Sequence, residues 1–496
     1  MKKNISWIIE MIMLLSILLI VFSLLIVSKV DLDYFMLVVG VVYFLNIIIS
    51  IWIFLTERNF ESKISWLIFI IIFPIVGHIC FIFFGRKEKT EFSRIEYEKQ
   101  FKLYSNLSFH VENSNETNYF KNKMSSLTKR NWKNSNVKIY KHCFEAYESL
   151  FQDIKNAKEY IHIELYIIKL SEIYEELKLL LIQKINEGVE VRMIIDDFGK
   201  WSFSDDEISS MKREGIKIEI FNKINFPFIN MKQSFRLHRK IFIIDGIIGY
   251  TGGMNISDEY SSFDKKYGYW VDINVKITGD TCNDFSQLFL FDWAQFKNEK
   301  LDTNKYITKQ KNEATNSQSL FLEEGPNVSE YILEKSLINC ISFSNKRIRI
   351  ATPYFIPSKK IIEQFKFALL EGVDIEIFVP GLADKRYILE ATRIYLNDLI
   401  LSGAKVYELK NMFIHSKMGT FDDTYGYIGT INWDMRTFYS NYESLNFLSG
   451  DVIKEMNDIF DDYKKKSTLL LPILKKPGSI KNLFKKLLIK ILSPLM

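Results

Sequence analysis

The chain has 496 residues, a formal net charge of +5, 48% hydrophobic and 25% charged content, a balance that excludes a disordered, collagenous or low-complexity protein and leaves room for two or three cored domains. Its four cysteines, Cys80, Cys143, Cys282 and Cys340, are scattered without a CxxC pair, which argues against both a disulfide framework and a zinc site. The net charge is mild for this length and matters only where it concentrates.

The apolar content is concentrated at the front. Three runs, Ile5 to Val27, Tyr34 to Leu55 and Ile64 to Phe84, each approach the roughly 20 apolar residues needed to cross a bilayer core. They predict N-terminal transmembrane helices, two or three hydrophobic segments within an anchor over 1–85. The first run follows Met1-Lys2-Lys3 but lacks a small-residue cleavage site, so it reads as a retained anchor rather than a removed leader. Pro74, Gly77 and His78 interrupt the third run, which favours a kink or a re-entrant path. Lysines before the first run and Arg86, Lys87 and Lys89 after the third cannot both face the cytoplasm after three crossings.

A polar connector is expected over 86–135. Beyond it, short apolar runs alternate with helical patterns, as in YIHIELYII (160–168), VEVRMIID (189–196) and IKIEIF (216–221), the mark of an α/β domain. A polar linker, 301–320, separates this block (136–300) from a second (321–463) that repeats it. EGVEVRMIID from Glu187 is echoed by EGVDIEIFVP from Glu371, EGIKIEIF from Glu214 by SGAKVYEL from Ser402, and the LYII around Tyr166 by the PYFI around Tyr354. The offsets of 184 and 188 differ slightly, as an old internal duplication leaves them. The tail, 464–496, holds nine lysines and no acidic residue. After Ser479, Ile480, Leu483, Phe484, Leu487, Leu488 and Ile491 fall at helical spacing with lysines opposite, which predicts a helix lying on an anionic membrane surface.

The duplication carries a paired motif. LHRKIFIID places His238, Lys240 and Asp245 at the same spacing as His415, Lys417 and Asp422 in IHSKMGTFD. Each aspartate is followed by a glycine-led group ending in Asn, Gly252 to Asn255 and Gly429 to Asn432. A single copy is a weak signal; two in register, one per repeat, are not an accident of composition. On a strand, residues two apart share a face, so each histidine and its lysine project together. Two facing lobes then bring two histidines and two lysines to one cleft. Ammonium groups and an asparagine amide suit phosphate oxygens. One histidine is a competent nucleophile toward phosphorus and the other a proton donor and acceptor. No metal or other cofactor is expected, and the aromatic content reads as core and interface packing rather than a nucleic-acid surface.

These residues resemble the phospholipase D superfamily, whose motif is His-x-Lys-x4-Asp in two copies, and within it the bacterial cardiolipin synthases. GYTGGMN, EEGPN (323–327), TPYFIP (352–357), GTINWDMRTF (429–438), NYE (441–443) and the terminal ILSPLM carry the likeness over nearly the whole chain. The resemblance implies an α/β fold of two duplicated lobes, mixed sheets flanked by helices, with the active site between them. It implies transfer of a phosphatidyl group from one phosphatidylglycerol to another, giving cardiolipin and glycerol, in a multi-pass protein of the bacterial cell membrane. A phospholipase D-type hydrolase or nuclease is the alternative, and a lipid-binding scaffold without activity a third. By the same resemblance His238 is the nucleophile and His415 the acid and base, with Lys240, Lys417, Asn255 and Asn432 on the phosphate. Glu443 is then expected to orient His415 and Asp272 to orient His238, while Asp245 and Asp422 support the lobes and the lysines. Leu237 and Val271 depart from the family pattern, which commonly has Asn and Arg there.

Overall fold

The computed structural model describes residues 32–56, 60–81, 92–104, 118–200, 203–224, 234–261, 268–308, 315–382, 384–473 and 489. The first apolar run and the basic helix expected after Ser479 lie outside them, apart from Ile489. The chain divides into two compact units, one of 1–89, 225–234 and 476–496, the other of 90–224 and 235–475.

In the first unit, the second apolar run forms the helix Leu32–Leu55, with Asp33 in its first turn. Asn46 is buried at mid-length and its amide donates to the Ile70 carbonyl (3.4 Å). The third run is broken. Phe60–Ile72 and Pro74–Cys80 are helices of 13 and 7 residues, because Pro74 has no N–H to continue the first and its ring instead starts the second. Ile49, Ile53, Trp66, Ile70 and Phe81 close a small apolar cluster, and Gly77 lies against the Ile70 backbone. At about 1.5 Å per residue, both short helices fall well below the about 30 Å of a bilayer core. The expectation of transmembrane helices is corrected: among the described residues, no helix is long and apolar enough to cross a membrane.

The second unit holds the duplicated α/β architecture. Among the described residues, fifteen strands run in one path through a sheet of sixteen, and its two halves mirror each other. From the outside inward, the first lobe orders Lys217–Phe221, Glu190–Asp196, Tyr160–Leu165, Ile241–Ile244, Ile248–Gly252, Asn274–Gly279 and Lys133–Tyr140. The second lobe orders Lys405–Leu409, Asp374–Pro380, Arg347–Ala351, Met418–Phe421, Tyr425–Gly429, Asn441–Gly450 and Ser317–Glu324. The innermost strands of the lobes pair antiparallel, Lys133 opposite Ser319 and Ser135 opposite Ser317. The three outer strands of each lobe are parallel and helix-connected, and their continuous Ile/Val runs are buried on both faces, as parallel strands require.

Connector residues lock onto the second lobe. Arg130 is buried between Glu98 (2.7 Å) and Glu323, and Arg94 closes on Glu98 (2.7 Å). The carboxylate of Glu324 accepts the Ile332 and Leu333 N–H groups at the start of helix Ile332–Phe343, which accounts for the EEGPN stretch.

Asp245 and Asp422 end equivalent strands in the left-handed conformation, both at φ 52°, which a short polar side chain tolerates. Asp245 accepts the Lys158, Glu159 and Tyr160 N–H groups (2.8, 2.8 and 3.0 Å); Asp422 accepts those of Asn345, Lys346 and Arg347 (2.7, 2.7 and 3.0 Å). Each carboxylate therefore clamps the entry to the neighbouring strand. Asp245→Ala and Asp422→Ala should each lower the unfolding free energy by about 2–3 kcal/mol in denaturant titration, with kcat per folded molecule retained.

Candidate active site

Two short parallel ladders carry the histidines. Arg236–Leu237 pairs with Asn441 and Tyr442 at the start of Asn441–Gly450, and the His238 N–H donates to the Tyr442 carbonyl (2.9 Å). Met412–Ile414 pairs with Tyr269–Val271, and the His415 N–H donates to the Val271 carbonyl (2.6 Å). Each ladder joins the histidine segment of one lobe to the acid-bearing segment of the other.

That crossing decides the partners. His238 Nδ1 lies 2.8 Å and 3.0 Å from the two Glu443 oxygens, and His415 Nδ1 lies 2.6 Å from Asp272 Oδ2. The expected assignment of Glu443 to His415 and Asp272 to His238 is therefore reversed: each histidine is held by the carboxylate of the opposite lobe. Both carboxylates are fully buried. Glu443 also accepts from the hydroxyl of Thr430 (2.6 Å), the amide of Asn441 (3.2 Å) and the hydroxyl of Thr437 (3.4 Å). In the other half, Gly253 occupies the place of Thr430, and a Cβ there would fall within the Asp272 carboxylate. Gly253 makes room for the shorter acid, while Thr430 anchors the longer one.

The lysines match. Lys240 Nζ donates to the His238 carbonyl and Lys417 Nζ to the His415 carbonyl, both at 2.6 Å. Tyr166 meets His238 edge to face at 4.9 Å between ring centroids, with Lys240 over its ring at 5.1 Å. Trp270 and Tyr260 flank His415 at 5.0 Å and 5.6 Å. Burial pushes His238 down to about 4, with Glu443 opposing and Lys240 reinforcing the shift. Burial and then Lys417 push His415 to about 3, against Asp272. Burial also lowers Lys240 to about 7 and Lys417 to about 8. Burial raises Glu443, but its contact with His238, and then Lys240, outweighs it and holds the carboxyl below its ordinary value. At neutral pH both imidazoles are uncharged, with Nδ1 tied to a carboxylate and Nε2 left for chemistry.

Asn432 is 5% exposed and its side-chain oxygen has no partner. Asn255 is engaged within its own lobe, its oxygen accepting from the Ile167 N–H (2.9 Å) and its amide donating to the Tyr260 hydroxyl. Asp245 and Asp422 are not brought to the histidines. They stand seven residues along the chain, at the far end of a strand rising about 3.3 Å per residue, and their oxygens hold backbone N–H groups rather than the lysines. Leu237 and Val271, the two departures, contribute backbone groups: the Leu237 N–H donates to Asp196 (2.7 Å), and the Val271 carbonyl receives His415.

Sequence spacing does not single out the residues beneath His238. Asp196 accepts from Arg236 (3.0 Å), Leu237 and the Phe198 N–H (2.8 Å). Arg239 is buried, donates to the Glu443 carbonyl (3.1 Å) and pairs with Asp292. Burial and Asp292 raise the adjacent Glu164, so this acid pair retains a proton beside Arg239. The clue available for Gly253 and Thr430 was their place inside the repeated glycine-led groups.

The description "Cardiolipin synthase, PLD-like domain" matches residues 150–293 and 337–464, and "Phospholipase D-nuclease N-terminal" matches 44–86. The cardiolipin synthase of Halalkalibacterium halodurans is 34% identical over 81% of this chain and 82% of its own. The chain belongs to the cardiolipin synthase family. The cardiolipin synthase of Oceanobacillus iheyensis is 32% identical over 93% of this chain and 99% of its own length. A phosphatidylserine synthase of Haemophilus influenzae shares the fold, with a TM-score of 0.60 at 15% identity, covering 76% of this chain and all of that one. Within the cardiolipin synthase family this chain is a phosphatidyltransferase, and its two His-x-Lys motifs fall one in each matched stretch.

A double-mutant cycle on thermal stability checks the crossed pairing. His415→Asn with Asp272→Asn should show coupling of about 1 kcal/mol or more, as contacting charged partners do, whereas His415→Asn with Glu443→Gln should be additive within about 0.5 kcal/mol.

Proposed function

We propose that the protein transfers a phosphatidyl group from one phosphatidylglycerol to the glycerol hydroxyl of another, giving cardiolipin and glycerol, by way of a phosphohistidine. The observation that carries this reading is the pair of histidines, each with Nδ1 held by a carboxylate of the other lobe and each within reach of the charges of both buried lysines.

His238 Nε2 attacks the phosphorus of the donor lipid while the bond to glycerol oxygen breaks. His415, which takes up a proton from water at Nε2 once the bound phosphodiester offsets the lysine charges, donates that proton to the glycerol oxygen. The hydroxyl of the second phosphatidylglycerol then attacks, its proton passes to His415, and the N–P bond breaks. Glu443 stabilises the positive charge that develops on His238 as the N–P bond forms. Lys240 and Lys417, with Asn432, are placed to stabilise the phosphoryl oxygens. In the free site burial, and then the lysines, keep His415 deprotonated; a bound phosphodiester anion offsets the lysine charge and raises its basicity, so that binding of substrate prepares the acid. Two anionic lipids as substrates suit a protein working at an anionic membrane surface, and the lysine-rich tail supports that placement.

Full-length protein supplied with labelled phosphatidylglycerol should form cardiolipin and free glycerol in equal amounts; phosphatidic acid as the main product would instead mark a hydrolase. His238→Ala and His415→Ala should each abolish turnover, and acid-quenched wild-type enzyme should carry the label on His238 in peptide mapping.

The lysines set the alkaline limit. A lowered pKa means that charge is lost early as pH rises, so kcat/KM should fall from about pH 7 to pH 9 as Lys240 and then Lys417 deprotonate. On the acid side it should fall only near pH 4, where His238 takes up a proton. A flat profile to pH 10 would contradict the assignment of the lysines to phosphate binding.

A further inference from the structure

The carboxylates of the site are not all accounted for by the histidines. Asp384 lies on the segment that leaves strand Asp374–Pro380, and its charge reaches the Lys417 ammonium. It accepts a short hydrogen bond from the Tyr354 hydroxyl and a second from the Lys385 N–H (2.6 Å). Tyr354 lies close enough to Tyr260 and Asp434 to feel both, and Tyr260 is the ring flanking His415. The Tyr354 carbonyl accepts the Trp433 N–H (3.2 Å), which places this tyrosine beside Asn432 and its unpartnered side-chain oxygen.

A carboxylate this near a phosphodiester site costs free energy even with the Tyr354 and Lys385 donors, because like charges repel strongly where water is excluded. The shared fold does not demand it. With the same offset of 184 that aligns Glu187 with Glu371, the first lobe has Lys200 in place of Asp384. Asp434, the other nearby acid, is already occupied in capping helix Met435–Tyr439 through the Thr437 N–H (2.8 Å). Asp384 holds no such helix.

What the pair offers is specific in its polarity. The Tyr354 proton is committed to Asp384, so the lone pairs left on the phenol oxygen and on the carboxylate can act only as hydrogen-bond acceptors. Asn432 adds a third acceptor with no partner. Acceptors do not bind phosphate oxygens; they bind hydroxyl groups. A vicinal diol presents two O–H donors about as far apart as a phenol and its bonded carboxylate present two acceptors.

We propose that Tyr354 and Asp384 form the subsite for the glycerol headgroup, recognising its vicinal diol on the His415 side of the phosphorus. The inference rests on the phosphatidylglycerol reading above and deepens it. One subsite then serves twice, holding the glycerol that leaves and afterwards the glycerol hydroxyl that attacks, since both exchange their proton with His415.

The test separates headgroup recognition from the transfer chemistry. Full-length enzyme receives phosphatidyl-p-nitrophenol as donor, whose leaving group carries no diol, with free glycerol added to water as acceptor. The ratio of phosphatidylglycerol to phosphatidic acid formed reports acceptor choice, and it does not depend on the amount of folded enzyme. Wild type should favour glycerol, and should prefer it to ethanol. Asp384→Asn and Tyr354→Phe should each lower the glycerol-to-water ratio by about 10-fold or more, the scale of a lost hydrogen bond to a charged acceptor, and should erase the preference over ethanol. Two variants guard against one that fails to fold. Unchanged ratios in both, with wild type transferring to glycerol, would overturn the subsite and leave the phosphatidylglycerol reading intact. A wild type that yields phosphatidic acid alone at every glycerol concentration would overturn that reading, and the subsite with it.

Discussion

The exchange of carboxylates between the lobes is the constraint on which the site depends. Asp272 and Glu443 are wholly buried, and a buried carboxylate left without its partner is destabilising by several kcal/mol. Neither lobe can satisfy its own acid with its own histidine, because the two short ladders set each histidine against the other lobe's strand. Closing the lobes and fixing the tautomer of both imidazoles are therefore one event. The antiparallel pairing of Lys133–Tyr140 with Ser317–Glu324 holds the same interface from the sheet side, so backbone register and proton placement support each other.

On this symmetric frame the halves have diverged where the chemistry differs. Thr430 anchors Glu443 where Gly253 only yields space to Asp272. The residue between histidine and lysine is Arg239 in one half, buried against Asp292 and the Glu443 carbonyl. In the other it is Ser416, bonded to the Tyr463 hydroxyl (2.8 Å). The nucleophile proposed at His238 thus stands over a fixed charge network, and His415 over neutral hydroxyls. A group that forms and breaks a covalent bond gains from rigid placement, whereas a proton carrier gains from a surround whose charge changes with the bound substrate.

Much of this was legible in the sequence, for reasons particular residues make plain. The duplicated α/β lobes and the His-x-Lys pairs follow from repeated strands and repeated spacing, both local. The pairing of histidine with acid was not local. The family resemblance set Glu443 with His415 and Asp272 with His238, and nothing in their spacings of 28 and 34 residues reveals that the ladders cross. Asp245 and Asp422 show the converse, for seven residues from a histidine on an extended chain leads away from it. Their left-handed turns and three accepted N–H groups are tertiary facts. The third apolar run misled for a third reason: hydropathy reports composition, and Pro74 ends a helix whatever its neighbours prefer.

The mirrored sheet has one more consequence. A lobe on its own would expose the edge of Lys133–Tyr140 or Ser317–Glu324 and leave a buried acid without its imidazole, so its stable form would be a pair. Joining both halves in one chain replaces a collision between molecules by closure within one, at an effective concentration on the order of millimolar for a short flexible connection. Assembly of the site is then independent of dilution, and a protein present in few copies is as complete as one present in many.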